Sequence, residues 1–207
     1  MLRLDHVVYA VRDLDEAAVR FREELGLDSD VGGWHERWGT ANRIVPLGDQ
    51  YLELVAVLDD AAASANGFGR DVLERAASGG GWLTIAAVAD DIEKVASRLG
   101  LDVGTGSRTR PGGEVVRWRM AGLEDPRRDP WMPFFLAWDI PAELHPGRAQ
   151  AEHRVCAEGI AWVEVGGDGE RLRRWLGVEQ LPIRVVDTTP GIHRVAISTA
   201  DGELMIE

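Results

Sequence analysis

Three segments of the chain close on one pattern of leucine, glycine and an apolar residue: Leu25-Gly26-Leu27, Leu99-Gly100-Leu101 and Leu176-Gly177-Val178. The glycines stand 74 and 77 residues apart, so a chain of 207 residues is close to three copies of one unit. A period of this kind constrains the fold more than composition does, because each copy must bury an equivalent face against a neighbour.

Each pattern ends a segment that opens with a short apolar strand, then an acidic turn and an amphipathic helix. The segments are Leu4–Leu27, Trp82–Leu101 and Ile160–Val178. In the first, Leu14, Ala17, Ala18, Phe21 and Leu25 lie on one helical stripe; Ile92, Val95, Ala96 and Leu99 repeat it, and Leu172, Trp175 and Leu176 do so more briefly. Asp13, Asp91 and Asp168 stand where a helix N-cap accepts from free amides, and the glycines stand where a left-handed residue ends the last turn. The first helix is longer by about one turn, which keeps its stripe in phase.

Strand material follows each helix, punctuated by Gly39, Gly48-Asp49, Pro111-Gly112-Gly113 and a Pro- and Arg-rich loop from Gly122 to Pro130. The expected class is therefore α+β, built from βαβββ modules. Residues 1–58 form the first module, 59–81 a linker with a helix, and 82–139 the second module. Residues 140–158 form another linker, and 159–207 a third, βαβββ-like module. Two modules side by side should make a curved, half-open barrel with a concave pocket. The third is expected either to cover the other two or to pair across a homodimer.

Composition then narrows the partners. A formal charge of −12 disfavours nucleic acid, whose phosphates are bound largely by Lys and Arg. No apolar run approaches the ~18 residues of a membrane span, and the charged N-terminus does not resemble a signal peptide. Cys156 has no second cysteine to pair with, which fits a reducing cytoplasm and a small buried apolar role for that thiol. The expected partner is a small molecule.

The opening run from Leu4 to Asp15, LDHVVYAVRDLD, resembles the first strand and helix entry of the vicinal oxygen chelate superfamily, which includes glyoxalase I, extradiol dioxygenases, methylmalonyl-CoA epimerase and bleomycin-resistance proteins. Gly32-Gly33-Trp34-His35, Gly39-Thr40-Ala41-Asn42, Tyr51-Leu52-Glu53-Leu54, the run Pro133–Asp139 and His145-Pro146-Gly147 are similar to its glyoxalase-like domain branch. The resemblance implies that each barrel module offers a metal ligand from its first strand and one from its last. In the first module these are His6 and Glu53. In the second the corresponding positions are Thr84 (or Leu83) and Ala137, which are poor ligands. His35 would complete a two-His, one-carboxylate set for Zn, Ni, Fe, Mn or Co if its strand turns it into the same face.

Bland readings stand beside these. His6 alternates with Leu4 and Val8 and suits a hydrogen-bonded histidine of a strand face. Glu53 lies in an apolar run and needs a partner; a salt bridge to Arg43 would serve, as would a role as metal ligand or general base. Asn42 is expected to face the pocket, since Asn is disfavoured in strands. Thr84, Phe135 and Trp138 are the other candidates for contacting a ligand, although Phe134, Phe135 and Trp138 also suit a core. Arg127 and Arg128 are expected to be solvated or to recognise an anion.

Two functions follow. One is a glyoxalase-like enzyme of lyase, isomerase or dioxygenase type, with His6 and Glu53 catalytic and a metal held by an incomplete ligand set. The other is small-molecule binding without turnover, as in the drug-sequestering members of the superfamily.

Overall fold

The computed structural model describes residues 1–207. The first module runs β1 (Leu2–Ala10), α1 (Leu14–Glu24), β2 (Asp30–His35), β3 (Thr40–Leu47) and β4 (Gln50–Val57). Two linker helices follow, α2 (Asp60–Ser64) and α3 (Gly67–Ala77). The second module is β5 (Gly81–Ala89), α4 (Ile92–Leu99), β6 (Val103–Thr109), β7 (Val115–Ala121) and β8 (Phe134–Trp138). The last part is β9 (Ala157–Gly166), α5 (Gly169–Leu176), β10 (Ile183–Val186), β11 (Gly191–Thr199) and β12 (Gly202–Ile206). No helix is long and apolar enough to cross a membrane.

The repeated helix signals act as their chemistry requires. Asp13 accepts from the amides of Asp15 and Glu16, Asp91 from Lys94, and Asp168 from Glu170 and Arg171. Each satisfies donors that a helix start leaves free. Gly26, Gly100 and Gly177 all take positive φ, 71°, 63° and 76°, a region that penalises any side chain with a Cβ.

The two modules form an eight-stranded barrel in the order β1-β4-β3-β2-β6-β7-β8-β5, with β5 pairing back to β1. The half-open cup expected from the sequence is closed. Closure depends on a single pair, Trp34 with Thr109, between β2 and β6. Gly33 makes that approach sterically feasible, because a Cβ there would overlap the Thr109 carbonyl oxygen. Alternation along the strands separates two hydrophobic clusters. Val8, Val55, Ala86, Trp118, Met120, Phe134 and Leu136 face the barrel interior; Val7, Leu52, Leu54, Ile85 and Phe135 face outward.

The outer cluster continues without a break into the third unit through Ile160, Val163, Val165, Trp175, Val195 and Ile197. Its sheet lies on the outside of the barrel, β9 against β3 and β4, and β11 against β5. Polar contacts fix the seat. Gln50 accepts from the Ile160 amide at 2.7 Å, Trp175 Nε1 donates to the Pro133 carbonyl at 2.8 Å, and Trp175 stacks on Phe135. The third unit therefore covers its own barrel.

Its element order repeats the module, but its wiring does not. In the barrel modules the first strand pairs in parallel with the last, β1 with β4 and β5 with β8. In the third unit the order is β10-β9-β11-β12, with β9 between β10 and β11. The reason lies at the strand edges. β1 and β5 give their second edges to each other, whereas β9 has no sister module and its second edge is filled by β10.

Candidate functional site

The barrel interior holds a cavity of about 490 Å³, mouth included. It is slender, because Trp38, Trp118, Phe134, Leu136, Met120 and Phe68 fill much of the interior. His6, His35, Asn42, Tyr51, Glu53 and Arg108 line one part of it. All six are buried polar groups, so each needs a partner or a ligand to offset desolvation.

His6 and Glu53 reach the cavity from adjacent parallel strands, β1 and β4. His6 Nε2 lies 3.5 Å from Glu53 Oε2. The other carboxylate oxygen, Oε1, accepts from Asn42 Nδ2 at 2.5 Å and stands 3.9 Å from His35 Nε2. Asn42 in turn accepts from Arg108 Nη1 at 3.2 Å through its own Oδ1. The amide thereby links a buried carboxylate to a buried guanidinium. Gly32 leaves room for this chain, since a Cβ there would overlap Asn42 Oδ1 and stand 2.5 Å from Arg108 Nη1.

Behind His6 stands Asp5, which the sequence reading passed over. Neighbours on a regular strand point to opposite faces, but the pairing of β1 with β5 slips between Leu4 and His6, leaving Asp5 as an extra residue. The bulge lets the Asp5 carboxylate turn back, and His6 Nδ1 donates to its Oδ1 at 2.6 Å. Trp138 Nε1 and His145 Nε2 donate to Oδ2 at 2.9 and 3.1 Å. His145 accepts from the Gly147 amide through Nδ1, which leaves Nε2 as its protonated nitrogen. The His145-Pro146-Gly147 motif of the linker thus pins the carboxylate that orients His6. Burial pushes the Asp5 carboxyl up, yet the hydrogen bonds from His145 and His6 prevail and hold it at about 2. Burial lowers His35 to about 4 against the opposing pull of Glu53, so its imidazole is neutral near pH 7. Its Nδ1 meets Thr40 Oγ1 at 3.1 Å.

Several expected residues lie elsewhere. Arg43 makes no pair with Glu53; it holds Ser29 and Asp15 on the outer side. Phe135 faces away from the cavity, because Phe134, Leu136 and Trp138 share the inner face of β8; of the two aromatic residues expected there, Trp138 lines the cavity and Phe135 does not. Thr84 is outside the lining and accepts from Arg128 Nη1 at 2.9 Å. Arg128 is not solvated: it is 8% exposed and satisfies the carbonyls of Gly122, Leu123 and Met132, tying down the long loop. Arg127 is exposed and paired with Asp125. Cys156 is exposed, not buried.

The divalent metal implied by the resemblance needs three or more donors around one point, each at about 2.0–2.2 Å. His6, His35 and Glu53 share the cavity, but the imidazoles face different carboxylate oxygens, and one of those oxygens is already held by Asn42. No group of three His, Cys, Asp or Glu side chains is arranged to hold an ion. The second module adds nothing, since its inward positions are Ala86, Phe134 and Leu136. In this arrangement the residues present do not fit the metal.

Arg108 and Tyr51 were also not anticipated. Arg108 lies in Gly104-Thr-Gly-Ser-Arg-Thr, which forms most of β6. Gly106 is required there because a Cβ would overlap the Trp118 ring.

Known proteins place this architecture. A crystal structure of a hypothetical protein from Staphylococcus aureus matches with a TM-score of 0.69 and 18% identity, over 99% of this chain and 84% of that one. Methylmalonyl-CoA epimerase from Mycobacterium tuberculosis matches more loosely, with a TM-score of 0.46 and 21% identity over 65% of this chain and 86% of that one. No curated protein matches the sequence. The family model for the glyoxalase-like domain matches residues 4–181, which spans both barrel modules and enters the third unit. The chain belongs to the glyoxalase-like domain family.

Proposed function

We propose that the chain is a small-molecule enzyme that moves a proton at a carbon next to a carbonyl, chemistry of the isomerase or lyase type, with Glu53 as the acid/base. One observation carries the reading: Glu53 stands in an aromatic cavity with His6 Nε2 at 3.5 Å, and His6 is backed by Asp5 at 2.6 Å. Glu53 Oε2 takes the proton from carbon. His6 Nε2 shares it, and the Asp5 carboxylate stabilises the resulting imidazolium. Neutral His35, its Nδ1 held 3.1 Å from Thr40 Oγ1, presents Nε2–H to the oxygen on which charge develops. Return of the proton on carbon gives isomerisation; loss of a leaving group gives a lyase.

Proton NMR in D₂O tests this by following α-hydrogen exchange across a panel of small aryl and alkenyl carbonyl compounds. The wild type should catalyse exchange and Glu53→Gln should lose it by about 100-fold or more. Equal exchange by both proteins sinks the proposal. Binding of the panel without any exchange supports the sequestration reading, which draws on the same slender aromatic cavity.

A further inference from the structure

Among the buried cations, Arg108 is the one whose charge is left open to the cavity. It is 5% exposed, sits on β6 in the barrel wall, and makes one hydrogen bond, to Asn42 Oδ1. It has no carboxylate within ion-pair distance: Glu53 is reached only through the Asn42 amide, and Asp30, the nearby acid on β2, is paired with Arg110. Arg128 shows what a self-sufficient buried arginine looks like here, with its guanidinium spent on backbone carbonyls and Thr84. A guanidinium carries five N–H donors, so most of those on Arg108 have no protein acceptor. These donors are not sealed off: Arg108 borders the barrel cavity on one side and an outer pocket beside Asp30, Arg110 and Arg148 on the other, so a ligand in the cavity can meet them.

Tyr51 supplies a second unclaimed donor. Its ring is buried and stacked on His6, and its hydroxyl has no hydrogen-bond partner in the protein while its side chain lines the same cavity. The remaining walls are apolar and mostly aromatic, Trp38, Trp118, Phe134 and Leu136 among them.

We infer that the ligand of this cavity is a small carboxylate with a flat apolar body, its carboxylate held by Arg108 and the Tyr51 hydroxyl and its body against the aromatic wall. This rests on the reading of the cavity as the reaction site and adds the substrate class. The guanidinium fork accepts a carboxylate or a phosphate, and the slender, mostly apolar cavity favours the flat carboxylate over the broader, more strongly charged tetrahedral phosphate.

Benzoate and its neutral isostere benzamide are the probes, read by quenching of tryptophan fluorescence and by ligand-observed NMR. The wild type should bind benzoate about tenfold or more tighter than benzamide. Arg108→Gln should abolish that preference by weakening benzoate binding far more than benzamide binding, and Arg108→Lys should keep part of it. Thermal melts establish that each variant is folded, and Tyr51→Phe gives an independent arm, a severalfold smaller preference with Arg108 intact. Equal binding of the two probes, no benzoate binding at about 10 mM, or a preference that survives Arg108→Gln in folded protein overturns the inference. The two readings fail separately. Glu53→Gln should retain the charge preference, so undiminished proton exchange in that variant defeats the base assignment alone, and a lost preference beside Glu53-dependent exchange defeats the carboxylate assignment alone.

Discussion

Asp5 and His6 are consecutive in the chain, yet their side chains meet, Nδ1 to Oδ1 at 2.6 Å, because a bulge in β1 turns Asp5 out of the strand's alternation. The pair fixes the His6 tautomer and leaves Nε2 for Glu53. Asp5→Asn keeps the size but offers its amide where an acceptor is required. We expect proton exchange to fall by about tenfold or more with little change in KM, a shift in its pH profile, and a stability loss of about 1–3 kcal/mol from the unpaired buried network. Unchanged kinetics with a lowered Tm would reduce Asp5 to a structural role.

His35 gives the protein an acid-labile window. Its folded value of about 4 lies below the 6.5 of a free imidazole, so the unfolded chain binds the extra proton between those values. Stability is full above about pH 6.5 and falls as the pH drops toward 4, by up to about 3 kcal/mol. Asp5 also has a depressed value, about 2 against 3.8, so its share is lost only at lower pH still. Urea unfolding at about pH 7.5, 5.5 and 4.5 measures the slope, and His35→Phe should flatten it.

Gly32→Ala tests the Glu53–Asn42–Arg108 chain from the backbone side. The new methyl would overlap Asn42 Oδ1, so the amide must swing away and release Glu53 and Arg108 together. The expected cost is about 1–3 kcal/mol in stability, with a joint loss of exchange and of the preference for benzoate. Retention of both functions would show that the chain is dispensable.

Adding Zn, Ni, Fe, Mn or Co, or a chelator, should leave Tm and exchange unchanged, because the donors around Glu53 do not converge on one point. A metal-dependent rise in Tm that is lost in both His6→Ala and Glu53→Ala would reverse this.

Trp175 ties the third unit to the barrel through Phe135 and the Pro133 carbonyl. Trp175→Ala should cost about 3–5 kcal/mol, and calorimetry should still show one transition rather than a separately melting C-terminal unit. Two resolved transitions in the wild type would contradict the continuous outer core.

The repeat was legible because helix caps and glycine stops are local signals, set by a few backbone donors and one φ angle. The inward turn of His6, Asn42 and Glu53 was legible through the family resemblance and the low strand propensity of Asn. Asp5 was not, since simple alternation assigns it to the opposite face and only a bulge brings it back. Phe134 and Phe135 were exchanged for a related reason: a period of two says that one of them points inward but not which, until the start of β8 is known. Arg108 was hidden by its glycine-rich surroundings, whose small residues make room for Trp118. The wiring of the third unit depends on which strand edges are free in three dimensions, and no local pattern encodes that.

The pair Trp34–Thr109 is all that joins β2 to β6, while every other ladder of the barrel holds three or more pairs. Local opening has its lowest free energy where the fewest hydrogen bonds must break at once. The barrel thus has a zipper line, straddled on the outside by the exchangeable Arg110–Asp30 pair and adjoining Arg108 on the same strand. Amide exchange should therefore be fastest along it, beside the strand that carries Arg108.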